Sequence, residues 1–146
     1  MNEKLLLCGY GYRGSKLARC FNELGVLKYI SEPDQTKREL AQRMWPKAEV
    51  FSNFTDSLLQ EVDAVAIATP PETHYDLTWQ AIACEKNIFI EKPMTTDGRK
   101  ALILTEKALL SSKVNLMVGH IYLYNNGIKQ IPIPIGPATL YVKLLN

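Results

Sequence analysis

The hexapeptide Gly9-Tyr10-Gly11-Tyr12-Arg13-Gly14 follows directly on the apolar run Leu5-Leu6-Leu7-Cys8 and opens a stretch of helical period. That context restricts the fold more than any other feature, because a G-x-G-x-x-G between a first strand and a first helix is a turn built for close backbone approach. Gly9 permits the tight turn, Gly11 lets the main chain approach a diphosphate, and Gly14 lets helix and strand pack closely. The helix N-terminus adds N–H donors and the positive end of its dipole. As bare spacing the motif carries little weight, since a packing turn in another α/β fold has the same glycines. Its place after a buried strand makes residues 9–14 the expected phosphate-binding segment.

The remainder of the chain alternates short apolar runs with segments of helical period, the pattern of βαβ units. Leu17, Ala18, Phe21 and Leu24 share one face of the first helix, which Gly25 stops. Val26–Ile30 reads as a second strand. Gln35–Trp45 reads as a helix with Leu40, Ala41, Met44 and Trp45 inward, closed by Pro46. Val50-Phe51 is a weaker third strand, followed by a short helix near Thr55–Gln60. Ala64–Ala68 is a clear buried strand, ended by Thr69-Pro70-Pro71. A helix from about His74 to Cys84, strand Ile88–Ile90, a helix from about Thr96 to Leu110 and strand Val114–Val118 complete the series. The expected fold is therefore α/β, a doubly wound parallel sheet of about six strands.

After Gly119 the alternation stops. Residues 1–126 are expected to form the dinucleotide-binding domain, and residues 127–146 a connector and the first strand of a further sheet domain. Ile131-Pro132-Ile133-Pro134-Ile135 is no central strand, because its prolines lack N–H donors. Thr139–Leu144 is β-like but without a partner, and Leu140, Val142 and Leu144 on one alternating face are costly to leave in water. Pairing with a second copy through this segment is the expectation.

A formal net charge of +2 with no local gathering of Lys and Arg gives no patch for nucleic acid or an acidic membrane. Cys8, Cys20 and Cys84 are too widely spaced for a disulfide framework or a C-x-x-C metal pair, which fits a reducing, cytoplasmic compartment and no metal. The N-terminus lacks the long apolar core of a signal peptide, and no apolar run approaches the ~20 residues of a membrane span.

An acidic residue about 20 positions beyond the glycine turn normally meets the adenosine ribose, and Glu32 fills that place, with Asp34 as the alternate. A carboxylate there accepts from ribose hydroxyls and repels a 2′-phosphate, which favours NAD over NADP. Lys37 and Arg38 argue the other way, by offering charge to a 2′-phosphate.

Two further segments, Ala66-Ile67-Ala68-Thr69-Pro70-Pro71-Glu72-Thr73-His74 and Ile88-Phe89-Ile90-Glu91-Lys92-Pro93, make the chain resemble the Gfo/Idh/MocA oxidoreductases from about residue 3 to residue 126. The resemblance implies a Rossmann domain followed by an open-faced sheet domain, and hydride transfer between nicotinamide and a sugar, cyclitol or nucleotide-sugar carbon. It implies that Glu91-Lys92-Pro93 is the family's E-K-P element, with Lys92 the residue for chemistry, bonding the nicotinamide ribose and the reacting hydroxyl. It also places Thr69 and Pro70 along the adenosine and ribose, His74 near the nicotinamide side, and Tyr124-Asn125 within reach of a substrate. Taken alone, a Glu-Lys-Pro tripeptide is most often a solvent-facing strand end, and His74 is equally a surface helix start.

The departure is as informative as the match. The family's acid/base histidine and its partner aspartate belong to the sheet domain, and His74 and His120, the only histidines here, fall in Rossmann positions. Dinucleotide binding is thus the leading expectation, with turnover dependent on a substrate domain. Two other readings stand beside it: a non-catalytic nucleotide-binding or interaction module that recruits another chain, and a small dehydrogenase using Lys92 alone.

Overall fold

The computed structural model describes residues 3–55 and 59–130. Six strands form one sheet in the order β3-β2-β1-β4-β5-β6, and every neighbouring pair is parallel. In chain order these are β1 (Leu5–Cys8), β2 (Leu27–Ser31), β3 (Glu49–Phe51), β4 (Ala64–Ile67), β5 (Asn87–Ile90) and β6 (Leu116–Val118). Among the described residues four helices connect them: α1 (Tyr12–Glu23), α2 (Gln35–Met44), α3 (Pro71–Ala83) and α4 (Gly98–Leu110). A 3-10 turn at Ile121–Tyr124 and one helical turn, α5 (Asn126–Lys129), follow β6.

The near-continuous apolar strands are explained by burial on both faces. On one face Leu5, Leu7, Ile30 and Ala66 pack against Ala18 of α1 and Ala41 of α2. On the other, Leu6, Val65, Ile67, Ile88 and Ile90 pack against Ala81 and Ile82 of α3 and Leu104 and Ala108 of α4. Each Leu or Ile so buried contributes about 1.5–3 kcal/mol relative to exposure. The strand order reverses at β1, so the carboxyl ends of β1 and β4 diverge into loops on opposite sides and open a crevice there.

Helix ends follow local chemistry. The α1 C-terminus closes with Gly25 at φ +74, its N–H on the Asn22 carbonyl and that of Val26 on Phe21, a Schellman arrangement. Glu85, at φ 55, makes the same closure after α3, with its N–H on Ile82 and that of Lys86 on Ala81. The α3 helix begins at Pro71, three residues before the expected start, because proline's fixed φ suits the first helical position. Three residues read as inward-facing are largely exposed: Leu24 at 72%, Leu40 at 46% and Met44 at 55%. For the latter two the cause is that α2 lies against the three-residue edge strand β3, which is too short to cover its full apolar stripe. The expected short helix near Thr55–Gln60 includes residues 56–58, and the proline-rich connector and terminal β-like segment fall within 131–146; these lie outside the described residues. Among the described residues no helix is long and apolar enough to cross a membrane.

Candidate functional site

Between β1 and α1 the chain turns so tightly that a Cβ on Gly14 would lie 2.0 Å from the Gly9 carbonyl oxygen. One on Gly9, whose φ is +90, would lie 2.8 Å from the Ala68 carbonyl oxygen. These two glycines are therefore required by the fold itself. Gly11 differs: a Cβ there would meet nothing within 4 Å, so its backbone faces open space. The helix behind it starts at Gly11 with no capping side chain. By contrast, Asp34 caps α2 through the Lys37 N–H (2.9 Å) and Asp97 caps α4 through the Arg99 N–H (2.8 Å). An uncapped N-terminus facing open space at a crevice suits an anion, whose oxygens satisfy the first-turn amides.

The other residues of the turn have separate fates. Tyr10 is 5% exposed; its ring lies in the core and its hydroxyl accepts from Trp45 Nε1 at 2.8 Å. Only its main chain reaches the crevice. Tyr12 is exposed, with Lys16 Nζ donating to its hydroxyl at 2.6 Å, and that hydrogen bond holds the phenol below its ordinary pKa. Arg13 reaches away from the turn to the end of β5 and pairs with Glu91 at 2.6 Å.

Glu32 stands at the end of β2, 5% exposed. Its Oε2 accepts from the Tyr10 N–H at 2.6 Å and its Oε1 from the Asp34 N–H at 3.0 Å. The carboxylate thus binds the glycine turn to the β2–α2 loop, and each oxygen keeps one lone pair for a further donor. Asp34, the alternate, is engaged as the α2 cap. Arg38 directs Nη1 to the carbonyls of Glu32 (3.0 Å) and Pro33 (2.5 Å), while Lys37 contributes its main-chain N–H to Asp34.

Two cavities flank the turn. One of about 210 Å³ lies at the ends of β1 to β4, bordered by Ser31, Pro33, Phe54, Thr69, Thr73 and Leu77 among others. The second, about 810 Å³, lies at the ends of β5 and β6, where Arg13, Glu91, Lys92, Gly119 and His120 meet the apolar Ile121, Tyr122 and Leu123. The smaller is lined mostly by apolar surface, which suits the face of a nucleoside base, and the larger is the roomier space beyond the turn. Ser52, Asn53 and Phe54 of the smaller cavity were not expected from sequence. Their position just after the third strand was the one available signal.

Lys92 is exposed and has no ion-pair partner among the described residues, whereas Glu91 beside it is buried. Thr69 is half-buried with its hydroxyl 2.7 Å from that of Thr73, and Pro70 is exposed at the crevice. His74 is placed beneath the crevice, 1% exposed, with Nδ1 2.8 Å from the Pro93 carbonyl and Nε2 2.9 Å from the Thr69 carbonyl. Tyr124 is 64% exposed and does not border the larger cavity.

A parallel sheet in this order, with an uncapped helix behind a glycine turn at its switch point, defines a dinucleotide-binding Rossmann domain. Residues 4–120 match the Gfo/Idh/MocA family model, an oxidoreductase family with an NAD-binding Rossmann fold. The chain belongs to the Gfo/Idh/MocA oxidoreductases. An uncharacterized oxidoreductase of Streptococcus pneumoniae is 30% identical over 124 residues, covering 82% of this chain and 32% of its own length. Inositol 2-dehydrogenase of Corynebacterium glutamicum is 32% identical over 91 residues, covering 62% of this chain and 27% of its own. Among solved structures, myo-inositol 2-dehydrogenase from Lactobacillus plantarum superposes with a TM-score of 0.78 at 21% identity, over 86% of this chain and 38% of that one. Scyllo-inositol dehydrogenase from Lactobacillus casei, with bound NAD(H) and scyllo-inositol, gives 0.76 at 20% identity over the same shares. The chain thus spans about a third of the length of these proteins, and what it matches is their NAD-binding domain.

Proposed function

We propose that this domain binds NAD in preference to NADP and presents Lys92 to a hydroxyl-bearing carbon of a sugar, cyclitol or nucleotide sugar. The observation that carries the reading is the free, uncapped start of α1 at Gly11 in open space, between two cavities at the carboxyl edge of the sheet. Gly11, Tyr12 and Arg13 supply main-chain donors to a diphosphate, and the smaller cavity takes the adenosine. The lone pairs left on Glu32 accept from ribose hydroxyls, and its negative charge opposes a 2′-phosphate. Arg38, already bonded to two carbonyls, is a weaker counterweight than its charge alone implies.

When bound, the nicotinamide supplies the hydride acceptor. The larger cavity would hold it beside Lys92, whose Nζ would hydrogen-bond the ribose and the substrate hydroxyl and, as the neutral amine, take up the proton that hydroxyl releases as its carbon gives up hydride. Substrate chemistry further requires the reacting carbon within about 3–3.5 Å of the nicotinamide, and a single wall of the cleft does this poorly. A substrate domain supplies the other wall, so the domain alone binds cofactor with little turnover.

Thermal-shift titration with NAD, NADH and NADP tests this. A ligand at 100 times its dissociation constant adds about 2.7 kcal/mol to stability. The expected order is NADH and NAD well above NADP; no response to either NAD form removes the assignment, and a response to NADP alone reverses the role of Glu32. The β-like composition of 139–144 favours self-association, and a clean monomer by light scattering at all concentrations would refute it.

A further inference from the structure

We infer that His74 is a positioning residue of the cofactor cleft: its buried imidazole joins the Thr69 carbonyl to the Pro93 carbonyl and so fixes the Lys92 turn against the end of β4. The inference rests on the nicotinamide site proposed above and assigns a role to a side chain that itself touches no ligand.

The main-chain ladder between β4 and β5 ends with the Glu91 N–H on the Ile67 carbonyl at 2.9 Å. Beyond that bond the two strands separate, one into Thr69-Pro70 and the other into Lys92-Pro93, and the cleft opens where they part. His74, in the first turns of α3, lies beneath the gap, with Nδ1 2.8 Å from Pro93 O and Nε2 2.9 Å from Thr69 O. Among the described residues no other side-chain hydrogen bond joins these two segments. Lys92 is exposed and its ammonium is held by no ion pair among the described residues, so its placement comes from its own main chain. The nearest fixed point in that main chain is the carbonyl one residue on, which His74 holds.

Packing alone does not explain a histidine there. At 1% exposure an imidazole is costly unless both nitrogens are engaged, and an aliphatic side chain would fill the space without that cost. Both partners are carbonyls, which only accept. The ring therefore joins the two segments only when each nitrogen carries a proton, and with one proton it holds a single carbonyl.

The test compares two ligands on the full 146-residue chain. ADP uses the glycine turn and the smaller cavity; NADH adds the second ribose and the nicotinamide, which lie against the Lys92 turn. In His74→Leu, NADH affinity is expected to fall about tenfold, the scale of one hydrogen bond's net worth, while ADP affinity changes by less than about twofold. His74→Asn, whose amide nitrogen falls where Nδ1 lies and restores the bond to Pro93, recovers most of the loss. Equal losses for both ligands, no loss in a folded His74→Leu, or an Asn variant no better than Leu each overturn the inference. Where the Leu variant does not fold, ¹⁵N spectra of the wild-type ring decide: NADH must shift the His74 nitrogens and ADP must leave them in place, and a ring unmoved by NADH overturns the inference. A wild-type chain that binds neither ligand overturns the cofactor reading itself, a failure distinct from the others.

Discussion

Arg13 donates from Nε (3.1 Å) and Nη2 (2.6 Å) to one oxygen of Glu91, 78 residues away, so the first turn of α1 is tied to the end of β5 over the intervening β4. The pair is lopsided, with Glu91's side chain 6% exposed and Arg13's 38%. Losing the arginine strands a nearly buried carboxylate, whereas losing the carboxylate leaves a guanidinium that water can reach. Breaking a fully buried pair costs about 3–5 kcal/mol; with Arg13 partly solvated, Arg13→Leu is expected to cost about 1–2 kcal/mol, and Glu91→Gln less than about 1. Urea unfolding at constant slope measures both, and a larger loss for Glu91→Gln would contradict the asymmetry.

The glycine turn predicts a separation of stability from binding. Gly14→Ala forces a Cβ to within 2.0 Å of the Gly9 carbonyl oxygen, so backbone must move; the expected loss exceeds about 2 kcal/mol, and cofactor affinity falls with it. Gly11→Ala meets nothing within 4 Å and should leave the unfolding midpoint within about 0.5 kcal/mol. Its methyl group, however, occupies the side from which a diphosphate approaches, so NADH affinity drops while the fold persists. A Gly11→Ala chain that binds NADH normally would place the diphosphate elsewhere.

These contrasts mark what the sequence made legible. The central strands β1 and β4 were readable because each is an apolar run buried on both faces, and the glycine turn because its spacing is a steric demand of the local chain. Contacts made across the sheet were not. Nothing in residues 9–14 or 91–93 indicates that Arg13 closes on Glu91, and the His74 pattern fits a helix start on the surface as well as a clasp beneath the cleft. Leu40 and Met44 matched a helical stripe, but periodicity does not reveal that the strand beneath them has only three residues. Glu85 closes α3 in the conformation Gly25 provides for α1, and a glutamate carries no compositional sign of it.

Cofactor choice is tested at Glu32. Glu32→Gln keeps the side-chain shape and one acceptor oxygen, so one of the bonds to Tyr10 and Asp34 is lost and stability falls by about 0.5–1.5 kcal/mol. Removing the charge also removes the repulsion of a 2′-phosphate. The ratio of NAD to NADP affinity is therefore expected to shrink by about tenfold, equivalent to about 1.4 kcal/mol. Fluorescence titration with NADH and NADPH reads both arms, and a ratio that is unchanged would show that the carboxylate serves the loop and not the ribose.

Cys8 gives a pH dependence of definite sign. The thiol ends β1 at 1% exposure, and burial pushes its pKa far above the ordinary range. In the unfolded chain it ionises near pH ~8.5. Above that point the unfolded state holds fewer protons than the folded one, so stability is fully present below it and falls as pH rises, by up to about 1.4 kcal/mol per pH unit from this group. Other groups add to the alkaline loss, so the diagnostic is a difference. Cys8→Ala loses a core contact at all pH values, yet its stability should decline less steeply than wild type above about pH 8.5. Exposed Cys20 provides an internal control: a maleimide near neutral pH should label it in the native chain and reach Cys8 only on unfolding. Labelling of Cys8 at the rate of Cys20 would mean that the end of β1, and with it the base of the glycine turn, is open to solvent.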